Sequence, residues 1–234
     1  MKSPALSVVL PCYNEAENLP SLLESYVLAF EGIDAELILV NNGSTDNTKE
    51  VLGLELKKPK YFFVRTIDIA KNIGYGHGIY AGLKQAKGEF LAYSHADHQC
   101  DPLDVTKAYQ KAKASAKPEK VLVKGDRVGR QPFFSTGFKW MASLLFLRKF
   151  NDINGQPKLF HKTFFQKWKD PPIDFALDIY VQRMAFKEGL TLTAIPVKFA
   201  ERKFGQSKWA GTIISKTWTI VKYFFYLLKL RLES

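Results

Sequence analysis

Five short segments carry residue types that bind nucleotides and phosphate groups. Residues 11–15 read Pro-Cys-Tyr-Asn-Glu, residues 41–46 read Asn-Asn-Gly-Ser-Thr-Asp, and residues 95–99 read His-Ala-Asp-His-Gln. Residues 71–78 contain three glycines, which let a backbone approach an anion closely. Residues 201–208 combine Arg and Lys with Gly and Ser. An aromatic ring and a carboxylate suit a nucleobase and its ribose, and the basic segment suits a diphosphate.

The elements that must position these segments follow from the apolar pattern. Short β-branched or aromatic runs predict strands, and stretches with helical periodicity separate them. This alternation predicts a mainly parallel sheet with helices on both faces, in which ligands bind at the carboxyl ends of the strands. The polar loops should therefore converge on one edge. The predicted strands cover residues 6–10, 37–40, 61–64, 90–93 and 121–123.

Composition narrows the classes of partner. The chain has 34 Lys and Arg against 23 Asp and Glu, a net charge of +11 that favours phosphate-bearing partners. Nucleic acid is not favoured, because no interleaved basic and aromatic motif or recognition helix is found. Cys12 and Cys100 form no zinc or disulfide pattern, and the first apolar stretch is too short for a signal peptide. These features predict a cytoplasmic protein with reduced cysteines.

The second half of the chain is predicted to bind a second substrate, the acceptor, and to contact a membrane. Residues 133–150 are strongly apolar and aromatic, residues 176–188 predict a helix, and residues 190–196 predict a strand. Residues 213–232 carry an apolar stripe at helical spacing that lysines interrupt, so an amphipathic helix on a membrane surface is expected rather than a membrane span. Packing of this stripe on the core, or in a dimer, is the alternative. We expect one domain over 1–210 and the amphipathic helix over 211–234.

The order and spacing of the motifs resemble the family 2 glycosyltransferases, within them the dolichyl-phosphate-mannose-synthase-like (polyprenyl-phosphate glycosyltransferase) branch. The resemblance rests on residues 8–15, 40–48, 72–76, 95–99 and 202–208 and covers nearly the whole chain. It implies a GT-A type, Rossmann-like α/β fold with a mainly parallel sheet. It also implies inverting transfer of a sugar from a nucleoside-diphosphate sugar, a UDP- or GDP-sugar.

The resemblance assigns a nucleotide-sugar site to the first loops. The family's Asp-Asp is Asn41-Asn42 here, a departure that removes two charges but keeps hydrogen-bonding capacity. Helix capping by Asn14 and a purely structural turn at Ser44 and Asp46 are the alternatives. The predicted donor-binding residues are Pro11, Tyr13, Asn14, Glu15, Asn42, Lys71, Asn72, Gly76, Ala96 and Asp97.

A divalent cation is expected at residues 95–99, which occupy the place of the family's Asp-x-Asp. His95 replaces the first carboxylate and Asp97 keeps the second. Magnesium is often held by one or two carboxylates with substrate phosphates and waters, so Asp97 with Gln99 could suffice, and an imidazole ligand would favour manganese. The alternative for His95 is a hydrogen-bonded residue beside the site.

The resemblance places acceptor and leaving-group residues later in the chain. A lipid phosphate would meet Arg127 and Arg130, and an Asp-initiated loop contributes Asp152 and Lys158. Asp178 is expected to act as a general base or to organise the acceptor pocket, with a structural place at a helix start as the alternative. The resemblance also implies a mobile basic loop at residues 201–208. Its Arg202 and Lys208 would neutralise the leaving diphosphate. The alternative is a solvated basic turn without this role.

Together these residues predict sugar transfer to a membrane-associated acceptor, most simply a polyprenyl phosphate, by a peripheral protein at the inner face of the membrane. One alternative is a transferase acting on a sugar hydroxyl, which would depend on Asp178. Another is a membrane-associated or nucleic-acid-binding module that has lost catalysis, suggested by the missing first aspartate at His95.

Overall fold

A computed structural model describes residues 3–129, 133–201, 226–228 and 231. Seven strands form one sheet in the order β3-β2-β1-β4-β6-β5-β7. All neighbouring pairs are parallel except the two that involve β6. The predicted α/β architecture with a mainly parallel sheet is confirmed. The strands are β1 Leu6–Cys12, β2 Ala35–Asn42, β3 Val64–Ile69, β4 Phe90–Tyr93, β5 Val121–Arg127, β6 Lys158–His161 and β7 Thr191–Val197.

Helices cover both faces of the sheet. One face packs on α1 and α4, and the other on α3 and α7, so each face has its own apolar core. The central strands β1, β2 and β4 are buried on both faces, which explains their predominantly apolar sequences. The helices are α1 Leu19–Ala29, α2 Thr48–Glu55, α3 Tyr75–Gln85, α4 Pro102–Lys113, α5 Phe133–Phe146, α6 Lys162–Phe165 and α7 Leu177–Lys187.

The strand predicted over residues 61–64 was wrong. Pro59 opens a short 3-10 turn that ends at Tyr61, and Phe62 is 89% exposed. The strand β3 begins only at Val64, at one edge of the sheet, and alternates partly buried and exposed side chains. The aromatic run therefore belongs to the turn that precedes the strand.

The strand β6 was not predicted and interrupts the parallel order. It runs antiparallel to both neighbours, with Lys158 paired to Tyr93 of β4 and to Lys124 of β5. This insertion places the residues just before it, from Asp152 to Pro157, over the carboxyl ends of β4 and β5. The predicted loop over residues 152–158 thus ends in the sheet itself.

Two regions outside the sheet concern the predicted membrane contact. The outer face of α5 and the turn after it expose Trp140, Leu144 and Leu147 at 69%, 78% and 78%. Among the described residues, no helix has both the length and the apolar character to cross a membrane. The helix predicted over residues 213–232 lies almost wholly outside the described residues. Of it, Leu227 is buried against the core cluster that contains Phe150 and Ile179.

Candidate functional site

The loops after β1 and β2 are joined by side-chain hydrogen bonds. Asn14 has a left-handed backbone with φ of 56°, and its Oδ1 accepts a hydrogen bond from the backbone N–H of Thr45 at 2.8 Å. The N–H of Asn14 donates to Oγ of Ser44 at 3.1 Å. Helix α1 has Asn18 at its N-cap position, without a side-chain capping hydrogen bond, so the predicted capping by Asn14 was wrong. Asn14 and Ser44 hold the two loops as one edge.

The two asparagines in place of the family's aspartates have distinct partners. Asn41 Nδ2 donates to Asp68 Oδ1 of β3 at 2.8 Å, and this bond is the main cause that holds the pKa of Asp68 below its ordinary value. Asn42 is 3% exposed and its Nδ2 donates to the carbonyl of Gly74 at 3.0 Å. Both contacts need an N–H donor, which a carboxylate lacks. The replacement of the family's two aspartates by asparagines therefore matches the hydrogen-bond acceptors around them.

The Oδ1 atom of Asn42 is buried and has no hydrogen-bond partner within the described part of the chain. A buried carbonyl oxygen without a donor is uncommon in folded proteins and calls for an explanation. Asn42 lies beside Gly78 of α3, where an added Cβ would come within 2.9 Å of the asparagine Nδ2.

The glycines that open α3 let the helix start dock on a neighbouring segment. Gly74 has φ of 145°, and a Cβ there would lie 2.1 Å from the carbonyl oxygen of Ile173. A Cβ on Gly76 would lie 2.2 Å from the carbonyl oxygen of Pro172. The backbone around Lys71 and Asn72 in turn lies against Gly43, where a Cβ would meet Asn72 N at 2.3 Å. These glycines thus serve contacts within the protein as well as any ligand.

The loop after β4 carries a buried carboxylate. Asp97 is 5% exposed, and its Oδ1 accepts the N–H of Gln99 at 3.1 Å. Gln99 donates from Nε2 to the carbonyl of Ala200 at 3.2 Å, which ties this loop to the segment after β7. Ala96 is 3% exposed and packs in the core, so only its backbone can face a nucleotide.

A row of rings crosses the site beside Asp97. Tyr75 stacks on Phe175 with centroids 4.7 Å apart, and the ring of His95 lies 5.6 Å from that of Tyr75. His95 also meets Phe199 edge-on at 6.4 Å, and the guanidinium of Arg127 lies 5.4 Å from the Phe199 ring centre. His95 therefore contributes to an aromatic row that links the donor loop to the predicted acceptor arginine.

Arg127 and Asp152, both predicted to meet the acceptor, form a buried pair. Asp152 accepts from Arg127 Nε at 2.9 Å, from Nη2 at 2.5 Å and from the backbone N–H of the same residue at 2.8 Å. These contacts with Arg127 hold the pKa of the Asp152 carboxyl below its ordinary value although burial opposes them. The pair fixes the guanidinium at the carboxyl end of β5.

Lys158 and Asp178 form a second pair, in the protein interior. Their side chains are 0% and 3% exposed, and Lys158 Nζ lies 2.6 Å from Asp178 Oδ1. The same oxygen accepts from Tyr93 Oη at 3.0 Å and from Gln156 Nε2 at 3.1 Å. Burial lowers the pKa of Lys158, and the charge of Asp178 opposes this shift. Neither side chain is open to an acceptor in this conformation.

The donor-binding loops after β1, β2 and β4 leave three neighbouring strands, and the paired acceptor residues Arg127 and Lys158 lie on the adjacent strands β5 and β6. Arg130, Arg202 and Lys208 lie outside the described residues. Sequence reasoning missed the buried Lys124 and the roles of Tyr93 and Gln156. A lysine after the apolar run 121–123, on the face shared with Leu122, was the available signal for Lys124.

The site offers few carboxylates, which suits a divalent cation whose coordinating oxygen atoms come mostly from the bound ligand. Among the described residues, no three His, Cys, Asp or Glu side chains cluster as a metal cage. One buried carboxylate at Asp97 matches the usual magnesium or manganese arrangement, in which phosphates and waters complete the shell. The residues therefore fit a divalent cation that binds together with a diphosphate.

Comparison with known proteins shows the family of this chain. The sequence model of the family described as Glycosyl transferase family 2 matches residues 7–171. The chain is 30% identical over 215 residues to undecaprenyl-phosphate 4-deoxy-4-formamido-L-arabinose transferase of Enterobacter sp. (strain 638), covering 88% of this chain and 62% of that one. The protein of the same name from Sodalis glossinidius (strain morsitans) is 29% identical over 220 residues, covering 90% and 64%. The chain spans less than two thirds of the length of these relatives.

Solved structures share the fold at low identity. Glucosyl-3-phosphoglycerate synthase from Mycobacterium tuberculosis, in complex with Mn²⁺, UDP and glucosyl-3-phosphoglycerate, has a TM-score of 0.76 at 16% identity, covering 97% of this chain and 80% of that one. A mannosyltransferase from Pyrobaculum calidifontis, in complex with GDP-Man and Mn²⁺, has a TM-score of 0.65 at 18% identity, covering 88% and 59%. The predicted GT-A type architecture is confirmed.

Proposed function

Because the chain belongs to glycosyl transferase family 2, we propose that it is an inverting transferase that moves a sugar from a nucleoside-diphosphate sugar to a polyprenyl phosphate. The observation that carries this proposal is the joined edge of the β1 and β2 loops next to the buried carboxylate of Asp97. The curated relatives are named as undecaprenyl-phosphate transferases, which supports the same acceptor class here.

The polar atoms of the edge suit the donor nucleotide. Tyr13, Asn14 and Glu15 follow β1. Asn42 ends β2, and its buried carbonyl oxygen has no hydrogen-bond donor among the described residues. A nucleobase or ribose brings N–H and O–H groups, so we propose that it binds here. Asp97 would hold a divalent cation, which would offset the charge of the diphosphate as it leaves. Structural neighbours contain Mn²⁺ with UDP or GDP-Man, which supports this assignment.

The acceptor side favours a phosphate over a sugar hydroxyl. A hydroxyl acceptor needs a general base within hydrogen-bond reach. The predicted base, Asp178, is 2% exposed and already accepts hydrogen bonds from Lys158, Tyr93 and Gln156 at one oxygen. A phosphate monoester, whose second pKa is about 6, is an anion at neutral pH and needs no base. Arg127 at the end of β5 is proposed to bind it.

The reaction follows from these assignments. An acceptor phosphate oxygen attacks the anomeric carbon from the face opposite the diphosphate, and a new C–O bond forms as the bond to the diphosphate breaks. The electron pair leaves with the nucleoside diphosphate, and the anomeric configuration inverts. No proton has to move. Arg202 and Lys208, which lie outside the described residues, remain our proposal for the cations that receive this charge.

Contact with a membrane is proposed through α5. Trp140, Leu144 and Leu147 are exposed, and Arg148 and Lys149 follow them. A groove of about 420 Å³ is lined by Trp140, Leu147 and both basic residues. Apolar side chains beside cations suit the boundary between acyl chains and anionic headgroups. We therefore propose a peripheral location at the cytoplasmic face of a membrane.

The donor proposal is tested by thermal unfolding with UDP, GDP, dTDP and CDP, each with and without magnesium or manganese. One diphosphate should raise Tm in a metal-dependent manner, and Asp97→Ala should abolish that rise. Glu55→Ala is the control, because Glu55 is equally a buried carboxylate but lies at the far end of α2, paired with Lys58. No shift with any nucleotide would favour a non-catalytic module.

The acceptor proposal is tested by offering the same donor sugar to polyprenyl phosphate and to a glycolipid hydroxyl in detergent. Transfer to the phosphate alone is expected, with inverted anomeric configuration in the product. Transfer only to the hydroxyl would overturn the proposed acceptor and would return Asp178 to the position of candidate base.

A further inference from the structure

Lys124 is a buried lysine to which neither the sequence motifs nor the proposed reaction assigns a role. It lies on β5, is 3% exposed, and pairs in register with Lys158 of β6. Lys158 has a carboxylate partner in Asp178. Lys124, in contrast, donates from Nζ to two backbone carbonyls, those of Gly125 and Asp152, each at 3.2 Å. Within the part of the chain that the structure describes, these two carbonyls are its hydrogen-bond partners. A buried ammonium without a paired carboxylate is costly, so its presence calls for a reason.

The charges around Lys124 are mixed. Asp126 and Asp152 favour the ammonium, whereas Lys158 and Arg127 oppose it. Burial has the largest effect and lowers the pKa of Lys124 to about 8. The amine is therefore mainly protonated at neutral pH, although the protein interior makes this charge expensive.

The carbonyl that Lys124 holds belongs to an unusual residue. Asp152 has φ of 20°, in a region that non-glycine residues rarely occupy, and its side chain clamps Arg127. The N–H of Gly155 donates to the same carbonyl at 3.0 Å. Lys124 thus fixes the backbone of the residue that orients the predicted acceptor arginine.

The loop that contains Asp152 lies directly on β5. A Cβ on Gly125 would come within 2.0 Å of the carbonyl oxygen of Gln156, and a Cβ on Gly155 within 2.2 Å of the carbonyl oxygen of Gly125. With so little space, a shift of the Asp152 backbone must move the carboxylate. Asp152 engages Nε–H and one N–H of Nη2. Both N–H groups of Nη1 and the second N–H of Nη2 therefore form the side of the guanidinium that is proposed to meet a further anion.

We propose that Lys124 is a positioning residue for acceptor binding: it fixes the Asp152 carbonyl, Asp152 orients Arg127, and Arg127 binds the anionic oxygen of the acceptor. The proposal rests on the proposed function in one respect, namely that the acceptor carries a phosphate. Lys124 itself does not touch the substrate. Its removal should therefore weaken acceptor binding and leave donor binding and the chemical step intact.

The test compares Lys124→Met with Lys120→Met, which removes an exposed lysine directly before β5. For Lys124→Met we expect the acceptor KM to rise about tenfold, because small misplacements of a binding group have effects of this size or larger. Both kcat and the Kd of the nucleoside diphosphate should stay within about twofold of wild type. Lys120→Met should change none of these. A fall in kcat or in nucleotide affinity would indicate general disruption and overturn the proposal.

A double-mutant cycle tests the route through Arg127. In an Arg127→Gln background, Lys124→Met should change the acceptor KM by less than about twofold, because the residue through which it acts is gone. An equal rise in KM in both backgrounds would show that Lys124 acts independently and would overturn the proposal.

Amide hydrogen exchange separates this inference from the proposed function. The N–H groups of Gly155 and Arg127, which donate to Asp152, should lose protection in Lys124→Met and keep it in Lys120→Met. Unchanged protection would refute the positioning role whatever the acceptor is. Lost protection in an enzyme that does not use polyprenyl phosphate would refute the proposed acceptor and leave Lys124 as the residue that holds the loop.

Discussion

Replacing Asp178 by asparagine would leave the ammonium of Lys158 in the interior without a counter-charge. Lys158 is 0% exposed and lies 2.6 Å from the Asp178 carboxylate. Removing one partner of a buried ion pair costs about 3–5 kcal/mol. For a domain of this size each kcal/mol lowers Tm by about 2–4 °C, so Asp178→Asn should unfold roughly 10 °C earlier than wild type.

The assay is thermal unfolding of a cycle that combines Asp178→Asn with Lys158→Met. The double variant should be more stable than Asp178→Asn alone, because it removes the stranded charge and keeps an amide oxygen to accept from Tyr93 and Gln156. The coupling should exceed about 1 kcal/mol. Lys49→Met is the control, since its pair with Asp68 is exposed on both sides and should contribute less than about 1 kcal/mol.

Two results would refute this reasoning. Additive destabilisation would mean that the pair does not stabilise the fold as a unit. A folded double variant whose kcat falls by about 10²-fold or more would instead indicate that Asp178 acts as a general base. Retained kcat in the folded double variant is the expected outcome, because a phosphate acceptor needs no base.

Three further predictions concern the donor side of the site and the buried Lys124. Asn41→Asp should place a second carboxylate beside Asp68, raise the pKa of both and cost about 1–3 kcal/mol of unfolding free energy, measured by denaturant titration at pH 7; an unchanged midpoint would contradict the assigned bond. Gly76→Ala should push the start of α3 from the Pro172 carbonyl and weaken nucleotide binding in calorimetry, whereas Gly53→Ala, with open space around it, should not. Because the folded-state pKa of Lys124 is lowered to about 8, its ammonium is present below that pH and lost above it. Above about pH 7 the acceptor phosphate is already ionised, so the acceptor KM should be flat to about pH 7.5 and rise as pH passes 8. A Lys124→Met profile with the same rise would contradict the assignment.

The sequence predicted the strands β1, β2 and β4 well because each is buried on both faces and leaves a continuous apolar run. It misplaced β3, since the aromatic residues before Val64 resemble a strand although Pro59 turns the chain there. It missed β6, a four-residue strand after Gly155 and a proline, because antiparallel pairing with distant strands creates it.

Part of the candidate site could be predicted from the sequence, and part depends on contacts that form only in the folded protein. Loops that follow parallel strands meet at one edge, so the motifs around Asn14, Asn42 and Asp97 could be grouped from their order alone. The pairing of Lys158 with Asp178 could not be predicted, because β6 and α7 bring these residues together only in the folded protein. Local patterns indicate which face a side chain occupies, but they do not identify its partner across the core.

The position of β6 also bears on how the chain folds during synthesis. The strands β1 to β4 form one contiguous half of the sheet and can pair as soon as they leave the ribosome. One edge of β4 then stays unpaired until β6, which begins at Lys158, has been synthesised. At a synthesis rate of about 5–20 residues per second, this takes several seconds. During that interval β4 is an unpaired strand edge, the kind of surface that recruits other chains. Pausing of translation before β6 should therefore promote aggregation of the nascent chain more than pausing after it.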